Sequence, residues 1–224
     1  LDGDGDLDIV STSFDGPISW YENDGADNPS WNNSSGSAWI QIGNDIDGSA
    51  FDASGRSVSI SNDGSIIAIG SPGRSDDIDA KGIVRIYENN SGTWQQIGSN
   101  IEGESAYDES GWSVSLSGDG SIVAIGAPWN DDGGNNSGHV RIYENNSGTW
   151  QQIGSDIDGE SAGDRSGYSV SLSSDGSIVA IGSPTAKGTS TTNEHDNGHV
   201  RIYKNNSGTW QQIGSDIDGD EEDS

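Results

Sequence analysis

The sequence predicts an all-β protein, a β-propeller of about four four-stranded antiparallel blades, the first of which lacks its innermost strand. Three observations predict it. The phrase VRIYENNSGTWQQIG occurs three times almost unchanged, starting at Val84, Val140 and Val200. Its tryptophans, Trp94, Trp150 and Trp210, are 56 and 60 residues apart, and Trp39 stands 55 residues before the first. A period of this length exceeds that of helical hairpin repeats and fits a propeller blade. Within each period, short runs with the two-residue alternation of strands are separated by Gly, Asn, Asp and Ser, and no helical periodicity occurs.

The second repeat shows each element. In 54–61 (SGRSVSIS), Val58 and Ile60 alternate with Ser57, Ser59 and Ser61, which makes strand A. Its small serines suit the innermost strand, because blades converge at the axis and leave little room there. Asp63-Gly64 follows as a tight hairpin, since Gly tolerates positive φ. Strand B, 66–70 (IIAIG), is apolar throughout, as expected of a strand covered on both faces by neighbouring blades. Strand C is 84–87 (VRIY) and strand D is 93–97 (TWQQI), joined by the turn residues Asn89-Asn90-Ser91-Gly92. The order divides the chain into a partial blade at 1–43, full blades at 44–98, 99–154 and 155–214, and an acidic tail at 215–224 that starts the linker to another repeat. The chain opens at Leu1 inside a repeated motif and reads as a piece of something longer. Four blades close alone, two chains pair by self-association to close the ring, or the array stays open until joined to further repeats.

Charge narrows the partners. Nine Lys and Arg face 37 Asp and Glu, for a formal charge of −28. Nucleic-acid binding draws on Lys and Arg displacing condensed counterions, so DNA, RNA and anionic membranes are excluded as expected partners. The same charge draws cations and keeps the chain soluble. With no Cys there is no disulfide, thiol nucleophile or thiolate metal site. No apolar run approaches the length of a membrane helix, so insertion into a bilayer is not expected.

Ser-Gly-x-Ser-Val-Ser followed by Ile-Gly-Ser-Pro (69–72, 181–184) or Ile-Gly-Ala-Pro (125–128) resembles the FG-GAP repeat of integrin alpha-chain propellers and related bacterial surface proteins. Ser54-Gly55, Ser110-Gly111 and Ser166-Gly167 stand where that family usually has Phe-Gly, which is a departure. The opening 2–10 (DGDGDLDIV), with Trp20-Tyr21-Glu22-Asn23-Asp24-Gly25 behind it, looks like the related VCBS-type repeat of secreted bacterial proteins. The resemblance covers nearly the whole chain. It implies a propeller, commonly seven-bladed, at the cell surface or secreted, used in adhesion or ligand binding, with calcium in some A–B loops.

Asp2, Asp4, Asp6 and Asp8 place carboxylates at every second position around Gly5, the pattern a hard cation requires, since calcium takes six to eight oxygens. By resemblance, Asp2 and Asp4 give side-chain oxygens, Asp6 its carbonyl, and Asp8 closes the ring. The family pattern has one more Asp ahead of Leu1; the competing reading is a solvated acidic N-terminus. The equivalent loops at 62–65, 118–121 and 174–177 are one residue shorter and carry Ile66, Ile122 and Ile178 where Asp8 stands, so plain hairpins are expected there. The acidic D–A linkers, with Asp52, Asp108 and Asp164 behind them, either hold cations or cap blade edges by bonding their own amides.

Alternating strand direction puts the B–C and D–A connections on one face. The A–B and C–D turns hardly vary, whereas the B–C loops at 73–81, 129–137 and 185–197 do. Binding residues gather on variable loops over a rigid frame. The candidates are therefore Arg74, Asp76, Asp77, Trp112, Trp129, Asn130, Asp131, Asp132, Glu194 and His195, against tolerated drift in solvated loops. Trp112 belongs with them because its counterparts are Arg56 and Tyr168, a set that marks an exposed position; it and Trp129 are candidates for stacking on sugar rings. Trp39, Trp94, Trp150 and Trp210 recur at one place and read as packing. Arg85, Arg141 and Arg201 read as structural partners of neighbouring carboxylates. His139 and His199 correspond to Ile83, which argues against a metal or catalytic role. Asn89-Asn90-Ser91 and its copies fit the N-glycosylation pattern, but their place at a hairpin favours turn formation.

The expected function is non-catalytic: an extracellular recognition or adhesion propeller that offers one loop face to a protein or glycan, with calcium as the one cofactor in view. Two alternatives stand beside it: a glycosidase or lyase, whose paired acids sequence alone cannot place, and a passive structural module of a large secreted protein. No Ser–His–Asp set stands out from the repeat background, and a fold alone does not argue for chemistry.

Overall fold

The structure, a computed structural model, describes residues 9–11, 19–22, 40–73, 81–187 and 197–219. Asp2, Asp4, Asp6, Asp8, Arg74, Asp76, Asp77, Glu194 and His195 lie outside the described residues. Every element described is a strand or turn. β1 (Ile9–Ser11), β2 (Ser19–Glu22) and β3 (Ile40–Gln41) form a three-stranded antiparallel sheet in that order, the B, C and D strands of the blade expected to lack strand A. The next sheet runs β4 (Ser57–Ile60), β5 (Ile66–Ser71), β6 (Ile83–Asn90), β7 (Thr93–Gln96), all antiparallel neighbours.

A fifth strand extends this four-stranded blade. After β7 the chain leaves the sheet at Gly98 and returns as β8 (Ile101–Glu102), which pairs with the start of β6, Val84 opposite Ile101 and Ile83 opposite Glu102. The D–A linker thus begins as the outer edge of the blade it leaves, and that blade's hydrogen bonding runs to residue 102. The third blade repeats the plan with β9 (Ser113–Leu116), β10 (Ile122–Ala127), β11 (His139–Asn146), β12 (Thr149–Gln152) and β13 (Ile157–Asp158). The fourth has β14 (Ser169–Leu172), β15 (Ile178–Ser183), β16 (His199–Asn206), β17 (Thr209–Gln212) and β18 (Ile217–Asp218).

The core lies between blades. Ala68, Val84, Ile86 and Ile101 of the second blade pack on Val114, Leu116, Val123, Ile125 and Tyr143 of the third. Ala124, Val140, Ile142 and Ile157 of the third meet Val179, Ile181 and Tyr203 of the fourth. Strand B is apolar on both faces because each face belongs to a different junction: Ile67 and Ile69 look back toward Ile46, while Ala68 looks forward. Each buried Ile or Val contributes about 1.5–3 kcal/mol by leaving water.

Polar groups fix the junctions as regularly as the apolar ones. The strand A serines do more than fit a narrow axis. Ser57 donates to the Gly111 carbonyl at 2.8 Å and Ser113 to that of Gly167 at 2.8 Å, while Ser59 and Ser115 accept from the Leu116 and Leu172 amides at 2.9 Å. Gly70 and Gly126 pass so close to these carbonyls that a Cβ on either would strike the backbone oxygen of Gly111 or Gly167. Trp94, Trp150 and Trp210 pack against the core clusters, and the indole N–H groups of Trp150 and Trp210 each donate at 3.0 Å to the preceding blade, to Ile97 and Ile153.

Candidate functional site

The face formed by B–C and D–A connections is held by a repeated carboxylate. Asp52, Asp108 and Asp164 accept from the amides of Ser49 (3.0 Å), Ser105 (3.0 Å) and Ser161 (2.8 Å), each closing its linker into a turn. Asp52 also binds Arg85 at 2.9 Å. Arg141 and Arg201 instead face Glu104 at 3.2 Å and Glu160 at 3.5 Å, so the strand C arginines are paired as expected.

On this frame the chain gathers aromatic rings from successive blades. Trp112, immediately ahead of β9, and Trp129 of the following B–C loop meet edge to face with centroids 4.4 Å apart. Tyr168, opening the next blade's strand A, lies 5.4 Å from Trp112 and 6.3 Å from Trp129. The Arg56 guanidinium stands 3.7 Å over the Trp112 ring from the blade before, a cation–π contact. Phe51 and Tyr107, at one place in the D–A linkers of two blades, are 61% and 51% exposed with φ of +69° and +70°. The fourth blade has Gly163 at that place.

The loop candidates divide. Asn130 is buried and spent within the frame: its amide nitrogen donates to Asp108 at 3.1 Å and its oxygen accepts from the Asp132 amide at 2.9 Å. Asp131 is exposed and accepts from the Asn136 amide at 2.8 Å. Asp132 is exposed and turns toward a second cluster described below. Among the expected residues that are described, the structure therefore joins Trp112 to Trp129 and sends Asn130, Asp131 and Asp132 to separate tasks. Arg56, Tyr168, Phe51 and Tyr107 were not singled out from sequence as ligand-facing; the aromatic and basic variation at two repeat positions was the available signal.

The A–B loops are turns. Asp63 Oδ1 accepts from the Ser65 amide (3.0 Å) and from the hydroxyls of Ser61 and Ser65 (2.7 Å each). The same set recurs at Asp119 and Asp175. These bonds favour the ionised form and hold all three carboxyls below the usual range, Asp175 at about 2. In the C–D turns Asn89, Asn145 and Asn205 accept from the amides of Gly92, Gly148 and Gly208 at 2.8, 2.7 and 2.8 Å.

The second cluster lies where strand C starts. His139 is fully buried, and neither ring nitrogen has a hydrogen-bond partner among the described residues. Its Nδ1 is 3.6 Å from Asp156 Oδ2. Gln152 donates to the other Asp156 oxygen at 2.5 Å, which orients the carboxylate. Glu104 and Asp132 complete a group whose donor atoms lie within 4.8 Å of one another. Burial, reinforced by the Arg141 charge, lowers the His139 pKa against the pull of Asp156, Asp108 and Asp158, so the imidazole is neutral at pH 7. Burial also raises the Glu104 pKa, opposed by Arg141. Glu160, His199 and Asp216 repeat the arrangement in the fourth blade.

No curated protein shows a significant match to the chain. Among solved structures, a protein of Bacteroides uniformis described as a candidate 6-phosphogluconolactonase aligns with 98% of the chain at 18% identity and a TM-score of 0.63. The chain spans 54% of that protein. The periplasmic gluconolactonase of Pseudomonas aeruginosa aligns with 97% of the chain at 14% identity and a TM-score of 0.47, over 69% of its own length. At 18% identity the likeness to the Bacteroides uniformis protein is one of fold, and it agrees with the propeller read from the repeats. The third repeat has a sequence match as well: residues 102–143, from Glu102 in β8 to Tyr143 in β11, match the FG-GAP repeat family.

Proposed function

We propose that the chain is a stretch of a non-catalytic FG-GAP-type recognition propeller that works outside the cell, offering its B–C and D–A face to a protein or glycan ligand. The observation that carries this reading is the set of aromatic rings on that face. Phe51 and Tyr107 hold bulky side chains in the left-handed region, which costs on the order of 1 kcal/mol each, and being exposed they return little burial to the fold. Trp112, Trp129 and Tyr168 add a ridge of ring faces and edges, the surface on which sugar rings or aromatic and basic side chains stack. Calcium held by Asp2, Asp4, Asp6 and Asp8 belongs to the same reading, as the FG-GAP and VCBS resemblance implies.

A glycan array and a panel of extracellular matrix proteins, each with and without calcium, test it. Trp112→Ala with Trp129→Ala lowers affinity for the ligand found by at least tenfold. Phe51→Gly with Tyr107→Gly weakens binding while leaving the thermal midpoint unchanged or higher, because strain is relieved. Absence of any ligand in either panel favours a structural module. Turnover of a lactone or polysaccharide would overturn the non-catalytic reading.

A further inference from the structure

The histidines that open β11 and β16 have a setting that packing alone does not explain. His139 is 0% exposed, its two ring nitrogens lack hydrogen-bond partners among the described residues, and its Nδ1 is aimed at an oriented carboxylate oxygen 3.6 Å away. His199 repeats this one blade on, with Nδ1 3.7 Å from Asp216 Oδ2, Nε2 again unpartnered, and Gln212 donating to the other Asp216 oxygen at 2.6 Å.

The repeats themselves carry out the control. The third blade has Glu104, His139 and Asp156 and the fourth has Glu160, His199 and Asp216; the second has Ile83 and Asn100 at the last two places and, since Ser49 matches Ser105 in a linker one residue shorter, no residue at the first. The linker glutamate and the histidine are both present in the third and fourth blades and both absent from the second, within a unit whose neighbouring residues hardly change, whereas the first blade keeps an aspartate, Asp45, at the Asp156 place. The arginine does not account for this. Arg85 is present in the blade without the cluster and pairs there with Asp52 at 2.9 Å, so a strand C arginine does not require the linker glutamate. An Arg141–Glu104 pair leaves the buried imidazole without a partner.

We propose that the two junctions bind divalent transition-metal ions of the zinc class, one through His139 with Glu104, Asp132 and Asp156, the other through His199 with Glu160 and Asp216. An imidazole nitrogen beside carboxylates is a donor set for zinc and its first-row neighbours, whereas calcium takes oxygen alone. Bonds of about 2.0–2.1 Å to a tetrahedral ion separate donors by roughly 3.3 Å, close to the His139–Asp156 spacing. Glu104, Asp132 and Asp156 are solvent-accessible enough to close the remaining distance. Gln152 and Gln212 act as the outer partners that fix a ligand carboxylate. The ion would tie linker, B–C loop and strand C into one junction. The proposal does not depend on the recognition reading.

Isothermal titration of the chelator-treated chain with zinc, alongside calcium, followed by metal analysis after gel filtration, tests this. The expected result is two zinc ions per chain, insensitive to excess calcium, with a thermal midpoint that rises on zinc addition. His139→Ile installs the residue the second blade already uses and should leave one ion; His139→Ile with His199→Ile should leave none and abolish the midpoint shift. Glu104→Ser with Asp156→Asn should match His139→Ile while keeping the imidazole. No zinc uptake at tens of micromolar protein, or two ions retained in the double histidine variant, overturns the proposal.

Discussion

At residue scale, one carboxylate oxygen does the work of a turn. Asp175 Oδ1 accepts from Ser173, from the Ser177 amide and from the Ser177 hydroxyl, and its pKa falls to about 2 against roughly 3.9 in an unfolded chain. The sign follows. Between pH 4 and 2 the unfolded chain takes up a proton that the folded chain refuses, so stability present above pH 4 is lost on acidification. Asp63 and Asp119 shift in the same direction. Relief of the −28 charge works the other way, so the comparison must be internal. Urea midpoints of the wild type should fall more steeply from pH 4.5 to 2.5 than those of the triple Asp63→Asn, Asp119→Asn, Asp175→Asn variant, which keeps the accepting oxygen. Parallel curves would show these bonds to be indifferent to ionisation. Calcium affinity should be the same in both proteins, since these oxygens serve their own turns.

Single elements show why strand B carries a glycine one residue before its end. Gly126 passes beneath the Gly167 carbonyl at the spot where Ser113 also donates to that oxygen. Gly126→Ala should cost about 3 kcal/mol, at the upper end for overpacking because the obstacle is backbone, and denaturant melts would read it as a lowered midpoint with an unchanged slope. Gly182→Ala is the matched control: a Cβ there meets Ser169 and no backbone oxygen of a following blade, so it should cost distinctly less. Equal losses would place the requirement inside the blade. Strands A to D were legible in the sequence because alternation, a continuous apolar run and Asn-Gly or Asp-Gly turns each have one structural meaning. Strand β8 was not, since its two residues, Ile101 and Glu102, carry no period of their own and are recruited by the open start of β6. The cluster around His139 was illegible for a related reason: His139 against Ile83 looks like drift until the fold brings Glu104 and Asp156, 35 and 17 positions away, beside it.

On the scale of the molecule, the fourth blade presents to solvent the face that the second and third bury. Val84 and Val140 are fully covered and Ile101 and Ile157 are each 6% exposed, yet Val200 is 36% and Ile217 is 56% exposed. An array in which each unit buries its neighbour gains stability by nearest-neighbour terms, so this face should accept another blade. The linker for one is already in place, because Ile217 and Asp218 form β18 on β16 as β8 does on β6. A second copy of residues 160–219 fused after Gly219 would bring a new Val and Ile pair and a new Tyr against Val200, Ile202 and Ile217. At about 25 cal/mol per Å² of apolar surface, covering a few hundred Å² contributes several kcal/mol. The fusion should melt several degrees higher than the parent and bind less of a hydrophobic dye. The same fusion with Ser at the copied positions of Val179 and Ile181 should give neither change, and if it stabilises equally the gain comes from chain length and not from the junction. Solution mass separates a third outcome: if the parent is already a dimer that becomes a monomer on fusion, two chains were covering this face for each other, the self-association that the repeat pattern left open.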